Sequence, residues 1–155
     1  MTYKDQSVYK GVWKDDKRDG EGTMIWRNGT KYEGEFLEDV KHGHGTYTWP
    51  NQCQYVGAWD MGKRSGHGTC TYPDGSKYEG NFKNNLKEGR GIFTFKDGSA
   101  YVGDWRNDLK DGKGTFTWPD GRIYMGEYVD DRKNGYGEFI WPDGRSYKGD
   151  WVNGK

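Results

Sequence analysis

Apolar and polar residues alternate with a period of two in short runs, and the runs themselves return every 23 residues. Tyr9, Tyr32, Tyr55, Tyr78, Tyr101, Tyr124 and Tyr147 stand 23 apart without a slip. With each tyrosine taken as offset 0, a glycine follows at +2 and an aromatic at +4. Gly-x-Gly follows at +11 and +13, an aromatic at +17, and a turn dipeptide at +19 and +20. In Tyr78-Glu79-Gly80-Asn81-Phe82 the alternation predicts a strand with tyrosine, glycine and ring on one face. In the second run Gly112, Gly114, Phe116 and Trp118 share a face, while Thr115 and Thr117 point the other way.

Two kinds of connection join these strands. The polar stretch from +5 to +10, such as Lys14-Asp15-Asp16-Lys17-Arg18-Asp19, predicts an exposed hairpin loop. Pro-Asp-Gly with a following Ser or Arg, as at Pro73-Asp74-Gly75-Ser76 and Pro119-Asp120-Gly121-Arg122, predicts a tight turn. Both are too short for anything but antiparallel neighbours. The pattern therefore predicts an all-β chain, an elongated single-layer antiparallel meander of about 13 strands with stacked hairpins. Strands of about five residues would make the sheet roughly 15–20 Å wide, and ~4.8 Å between strands would make it roughly 60 Å long. A period of this kind marks a repeat array. Residues 1–8 form a lead-in, six complete repeats cover 9–146 (9–31, 32–54, 55–77, 78–100, 101–123, 124–146), and 147–155 open a seventh.

Composition explains how such a chain folds with few aliphatics. Leu, Ile, Val and Phe make up only about 13% of it, whereas aromatics make up 17%. Of the 26 glycines, 24 fall in the repeat register, as do 24 of the 26 aromatics. Large rings and missing side chains thus share one face, where a ring can lie flat across a glycine backbone. Repeat two departs from the pattern, with Asn51-Gln52 at the turn, and Cys70 occupies the usually aromatic +15 site. Ile25 and Ile140 place aliphatics on the threonine face near both ends. They mark either a second contact surface or local β-propensity.

Net charge is zero, which removes the usual sign of a nucleic-acid binder. Cys53 and Cys70 sit at unrelated offsets and read as reduced thiols, and no apolar leader run is present; both point to the cytoplasm. The Gly-x-Gly pairs lack a third glycine and a following helix, so no phosphate loop is indicated. His42, His44 and His67 have no second ligand at a metal spacing, and no nucleophile elbow occurs. The expectation is no catalysis, no cofactor and no metal.

The motif Tyr-x-Gly-x-aromatic, Gly-x-Gly-Thr-x-x-aromatic, Pro-Asp-Gly resembles the MORN (membrane occupation and recognition nexus) repeat. Its first part is matched by Tyr78-Glu79-Gly80-Asn81-Phe82 and the rest by Gly112-Lys113-Gly114-Thr115-Phe116-Thr117-Trp118-Pro119-Asp120-Gly121. The resemblance spans about 95% of the chain and implies a β-hairpin solenoid that binds or scaffolds other proteins, in cytoskeletal or ciliary assemblies or at the cell cortex.

Two candidate surfaces follow from the register. The first is a partner-binding groove lined by Tyr32, Phe36, Trp49, Tyr55, Trp59, Tyr78, Phe82, Tyr101, Trp105, Trp118, Tyr124 and Trp141, to hold a peptide or helix of another protein. An unpaired edge at the terminal repeats also invites a second copy of the chain, giving a homodimer. The second surface is a basic row at +9: Arg18, Lys41, Arg64, Lys87, Lys110 and Lys133. It is the candidate site for phosphoinositide or another anionic membrane headgroup, and the alternative function is a membrane tether. Carboxylates in the same loops, Asp15, Asp16, Glu38, Asp39, Asp108 and Asp131 among them, oppose nonspecific attraction.

Overall fold

The computed structural model describes residues 1–155 as thirteen antiparallel strands and no helix. They are β1 (Val8–Lys14), β2 (Lys17–Ile25), β3 (Lys31–Leu37), β4 (Val40–Thr48), β5 (Gln54–Asp60), β6 (Lys63–Thr71) and β7 (Lys77–Lys83). Then come β8 (Leu86–Thr94), β9 (Ala100–Arg106), β10 (Leu109–Thr117), β11 (Ile123–Val129), β12 (Arg132–Ile140) and β13 (Ser146–Trp151). Spatial order equals chain order in one open sheet, the meander that the alternation predicts. The chain divides into two compact units, one of residues Met1–Pro73 with Phe82–Asn85, the other of Asp74–Asn81 with Leu86–Lys155.

The strands are longer than five residues, alternating between seven and nine up to β12. The polar loop from +5 to +10 shrinks to the two residues at +6 and +7. Both take positive φ, as in Asp15-Asp16 (50° and 63°) and Asn107-Asp108 (48° and 69°). That is the turn whose twist matches a β-hairpin, and Asn and Asp tolerate it. The residues at +8 to +10 are polar because they are strand residues near solvent, not because they are loop.

The other turn is closed by three bonds. The N–H at +17 donates to the carbonyl at +21, and the N–H at +20 donates back to +17. The N–H at +21 donates to the side chain at +19, as with Ser76 to Asp74 Oδ1 at 2.8 Å. Asn51-Gln52 makes the same turn: Gln52 N–H donates to Trp49 O at 3.0 Å and Cys53 N–H to Asn51 Oδ1 at 3.0 Å. Gln52 sits at φ 72° where the five other complete repeats have glycine. Replacing Gln52 with Gly should therefore raise stability by about 0.5–1 kcal/mol, the left-handed penalty less the added chain entropy. A urea midpoint that fails to rise would show that Gln52 carries no strain. The lead-in also folds this way, with Gln6 N–H donating to Tyr3 O and Ser7 N–H to Asp5 Oδ1. Tyr3 thus stands where other repeats carry the +17 aromatic.

The glycines form a continuous row across each unit. In the first, Gly11, Gly22, Gly34, Gly45, Gly57 and Gly68 pair strand to strand; in the second, Gly91, Gly103, Gly114, Gly126, Gly137 and Gly149 do so. The +0 tyrosine lies on this floor. A Cβ on Gly22 would enter the Tyr9 ring, and one on Gly114 the Tyr101 ring. Beyond the +2 glycine the register shifts, between Gly34 and Phe36 or Gly57 and Trp59, so the +3 residue drops out of the ladder on that side. The tyrosine hydroxyl serves the displaced residue: Tyr32 donates to Glu35 O at 2.7 Å, Tyr55 to Ala58 O at 2.6 Å, Tyr101 to Asp104 O at 2.8 Å. All six tyrosines from Tyr9 to Tyr124 are fully buried.

Ring contacts then tie repeat to repeat. Tyr32 meets the edge of Phe36 in its own strand at 5.0 Å and of Trp59 in the next repeat at 5.6 Å, with interplanar angles of 83° and 89°. Tyr101 does the same with Trp105 at 5.2 Å and Tyr128 at 5.2 Å. Such edge-to-face pairs contribute about 0.5–1.5 kcal/mol each beyond area burial.

Candidate interaction surfaces

The ring face is mostly consumed by this packing. Of the twelve rings expected to line a groove, nine are buried: Tyr32, Phe36, Tyr55, Trp59, Tyr78, Phe82, Tyr101, Trp105 and Tyr124. Their role is the core, because a tyrosine flat on glycine and a +4 ring wedged between two tyrosines leave no face for a ligand. Only Trp49, Trp118 and Trp141, all at +17, remain half-buried and reachable.

The +17 rings belong to an outer zigzag. Phe93, Phe95, Phe116, Trp118, Phe139 and Trp141 follow one another at centroid distances of 4.5–5.6 Å in the second unit. Trp26, Tyr47 and Trp49 follow one another at 5.8 and 4.6 Å in the first.

The basic row is not a free edge of charge. Each side chain starts beside a two-residue loop and folds back over the rings. Lys41 Nζ lies 5.2 Å from the Trp59 ring, Lys87 5.3 Å from Trp105, Lys110 5.5 Å from Tyr128 and Lys133 5.0 Å from Trp151. Arg18 and Arg64 each lie 5.3 Å from a +4 ring, Phe36 and Phe82. Burial among the rings holds the Lys41, Lys110 and Lys133 ammonium groups below their usual pKa range. The backbones are also committed, with Lys87 N–H donating to Asp108 Oδ1 at 2.7 Å and Lys110 N–H to Asp131 Oδ1 at 2.8 Å. These contacts are cation–π packing and loop-to-loop ties.

Cation and +15 residue go together. Where +9 is lysine, +15 is a ring: Lys41 with Tyr47, Lys87 with Phe93, Lys110 with Phe116, Lys133 with Phe139. Where +9 is arginine, +15 carries sulfur. Arg18 Nη1 lies 3.7 Å from Met24 Sδ, and Arg64 Nη1 lies 3.5 Å from Cys70 Sγ. The planar guanidinium needs part of the space a ring would fill.

The opposite face holds the residues at +1, +3, +12 and +14, and here the two units differ. In the first, Lys10, Thr23, Glu33, Thr46, Val56 and Thr69 run strand to strand, and a depression of about 500 Å³ includes Glu21, Glu33 and Glu35. In the second, Ile92, Val102, Thr115 and Met125 run across β8 to β11. A depression of about 380 Å³ lies there, with Val102, Thr115, Met125 and Tyr136 around it and Arg90, Lys113 and Glu127 at its margins. Ile92, Val102, Met125 and Tyr136 are 42, 41, 42 and 58% exposed and make an apolar patch on this face. The sequence signal for it was thin: Ile140 on the threonine face is one neighbour, paired with Ile123. No cluster of three or more His, Cys, Asp or Glu suited to a metal occurs, and no helix is long and apolar enough to cross a membrane.

Residues 9–31, 32–54, 55–77, 78–100, 101–121, 124–144 and 147–155 each match the MORN repeat. The chain belongs to the MORN repeat family. No curated protein matches it. Among solved structures, the MORN sheet is similar to the SAS-4 (dCPAP) TCP domain of Drosophila melanogaster, solved in complex with a proline-rich motif of Ana2 (dSTIL). The match has 15% identity, a TM-score of 0.59, and covers 96% of this chain and 80% of that one. It is also similar to the G-box domain of the microcephaly protein CPAP, at 15% identity and a TM-score of 0.51, over 97% of this chain and 73% of that one. At such identities the likeness is one of fold: both are similar to the open MORN sheet found here.

Proposed function

We propose that this MORN array is a non-catalytic scaffold that holds a segment of another protein against the back face of its second unit. The observation that carries this reading is the row of Ile92, Val102 and Met125 with Tyr136, four exposed apolar groups gathered on one face, of which Val102, Met125 and Tyr136 surround a single depression. Apolar side chains flanked by Arg90, Lys113 and Glu127 give the pattern of a contact core with a polar rim. The Drosophila SAS-4 domain, a sheet of similar fold, holds a proline-rich motif, and the CPAP G-box domain has a suggested role in centriole elongation. That precedent supports an extended partner segment in a cytoskeletal or ciliary assembly.

The test is affinity capture with the whole chain, wild type against Val102→Glu/Met125→Glu. Both side chains are exposed, so the sheet should survive, and capture should fall at least ~10-fold as two charges enter the contact core. Trp118→Ala, on the other face, serves as control and should retain the partner. Equal capture by the double variant, with its circular dichroism unchanged, would refute the back-face assignment.

A further inference from the structure

The outer ring zigzag has one vacancy. In three places a +17 ring touches the +15 ring of the next repeat: Trp26 with Tyr47 at 5.8 Å, Phe95 with Phe116 at 5.6 Å, Trp118 with Phe139 at 5.4 Å. Trp49 instead faces Cys70, which has no ring to offer. Repeat one also lacks a +15 ring, but Met24 fills that space with a flexible thioether and is buried. Cysteine is far shorter. A pocket of about 200 Å³ results, bounded by Trp49, Cys53, Arg64, Cys70 and Tyr72.

We infer that this pocket is a second binding site, separate from the back-face surface and not resting on it, which accepts one aromatic side chain from a partner protein. Size permits it: an apolar cavity of about 150 Å³ is enough to hold a benzene ring. The walls favour an aromatic over an aliphatic occupant. Arg64 places its guanidinium 5.6 Å from the Trp49 ring and within reach of Cys70 Sγ, so an inserted ring meets a cation already held in place. A π-face gains from that cation and an alkyl group does not. The inserted ring extends the run of Tyr47 and Trp49, which meet edge-on at 4.6 Å and 62°. The guanidinium therefore has two roles, as a lid on Tyr55 and Phe82 below and as a stacking partner for the incoming ring.

The probe is N-acetyl-tryptophanamide, with N-acetyl-leucinamide as the aliphatic comparison, followed on the Trp49 indole N–H by NMR. The wild-type chain should show a saturable shift with a dissociation constant on the order of 1 mM. Leucinamide should bind at least ~10-fold more weakly, because its alkyl side chain gains nothing from the Arg64 guanidinium. Cys70→Met copies the Arg18–Met24 pair of repeat one, and Arg64→Lys/Cys70→Phe copies the pair of repeats four to six. Both have precedents in this fold, and both should abolish saturation. Val102→Glu/Met125→Glu should leave it unchanged, so failure of the back-face reading and failure of this one are told apart. Equal binding of the two amides, no saturation in wild type, or binding retained in both filled variants would each overturn the inference.

Discussion

Gly114→Ala should destabilise the second unit by at least ~3 kcal/mol, well beyond an ordinary surface change in a strand. The added Cβ would fall inside the van der Waals envelope of Tyr101, overlapping Cε2, Cζ and Oη at once. Tyr101 cannot retreat. Its ring is held at its edges by Trp105 and Tyr128, and its hydroxyl donates to Asp104 O, a carbonyl left over by the bulge. Moving the ring would sacrifice those contacts and leave a buried polar group unpaired, which alone costs about 1–3 kcal/mol. Urea unfolding followed by circular dichroism measures the loss, with Lys113→Ala on the exposed neighbour as reference. Hydrogen exchange should show the opening centred on β9 to β11, since a repeat array couples chiefly to nearest neighbours. A loss no larger than that of Lys113→Ala would mean that the ring does not rest on the glycine.

Alkali should unfold the chain in a narrow range above pH 10. Burial raises the phenol pKa of Tyr9, Tyr32, Tyr55, Tyr101, Tyr124 and Tyr128 in the folded state; at Tyr32 the Glu35 and Glu21 carboxylates add to it. Below the ordinary value near 10 both states keep these protons, so the stabilisation is fully present. As pH rises past it, the unfolded chain ionises while the folded chain resists, and stability falls by up to about 1.4 kcal/mol per pH unit for each tyrosine. Lys41, Lys110 and Lys133 act in the opposite sense. Their folded pKa is lowered by burial, so stability rises with pH up to the ordinary lysine value and no further. Six tyrosines outweigh three lysines beyond that point. A stability of ordinary size, about 5–15 kcal/mol, is exhausted within about one to three pH units. Tyrosinate absorbance and loss of circular dichroism should therefore rise together. Gradual tyrosine titration near pH 10 with the sheet intact would contradict the burial described here.

The fold was legible because its determinants are strictly periodic. Tyr101, Gly103 and Gly114 declare their face by alternation, and the Pro119-Asp120-Gly121 turn declares itself by chemistry. Strand length was not legible, since Lys17, Arg18 and Asp19 have the polarity of a loop and the geometry of a strand. Access was harder still. Alternation assigns Tyr55 and Trp59 to a face, but whether they line a groove or interlock depends on ring orientation, which has no sequence signature. The basic row was ambiguous for a related reason: Lys110 is the same letter in the sequence over water or over Phe116, and only its fold back across the rings distinguishes the two. The back-face patch was nearly silent because Val102 and Met125 occupy positions where Glu33 and Lys10 serve as well. Arginine with sulfur and lysine with a ring stood in plain view in the sequence, but the pairing has meaning only once +9 is known to lie over +15.

One division of labour in the ring layer bears on how such chains grow. Each tyrosine satisfies its hydroxyl and its glycine floor within its own hairpin, as Tyr101 does with Asp104, Gly103 and Gly114. Each repeat reaches back to the one before it with its +4 ring and its +7 side chain, as Tyr128 and Asp131 do toward Tyr101 and Lys110, and reaches forward with its +17 ring, as Trp118 does toward Phe139. In-frame duplication or deletion of a 23-residue stretch preserves the register of these contacts, and they re-form wherever the side chains recur; Gly62 and Gly154, for example, bring no +7 side chain. Copy number is thus free to drift by whole hairpins during evolution, and the reach of the array can be lengthened without redesigning a single packing interaction.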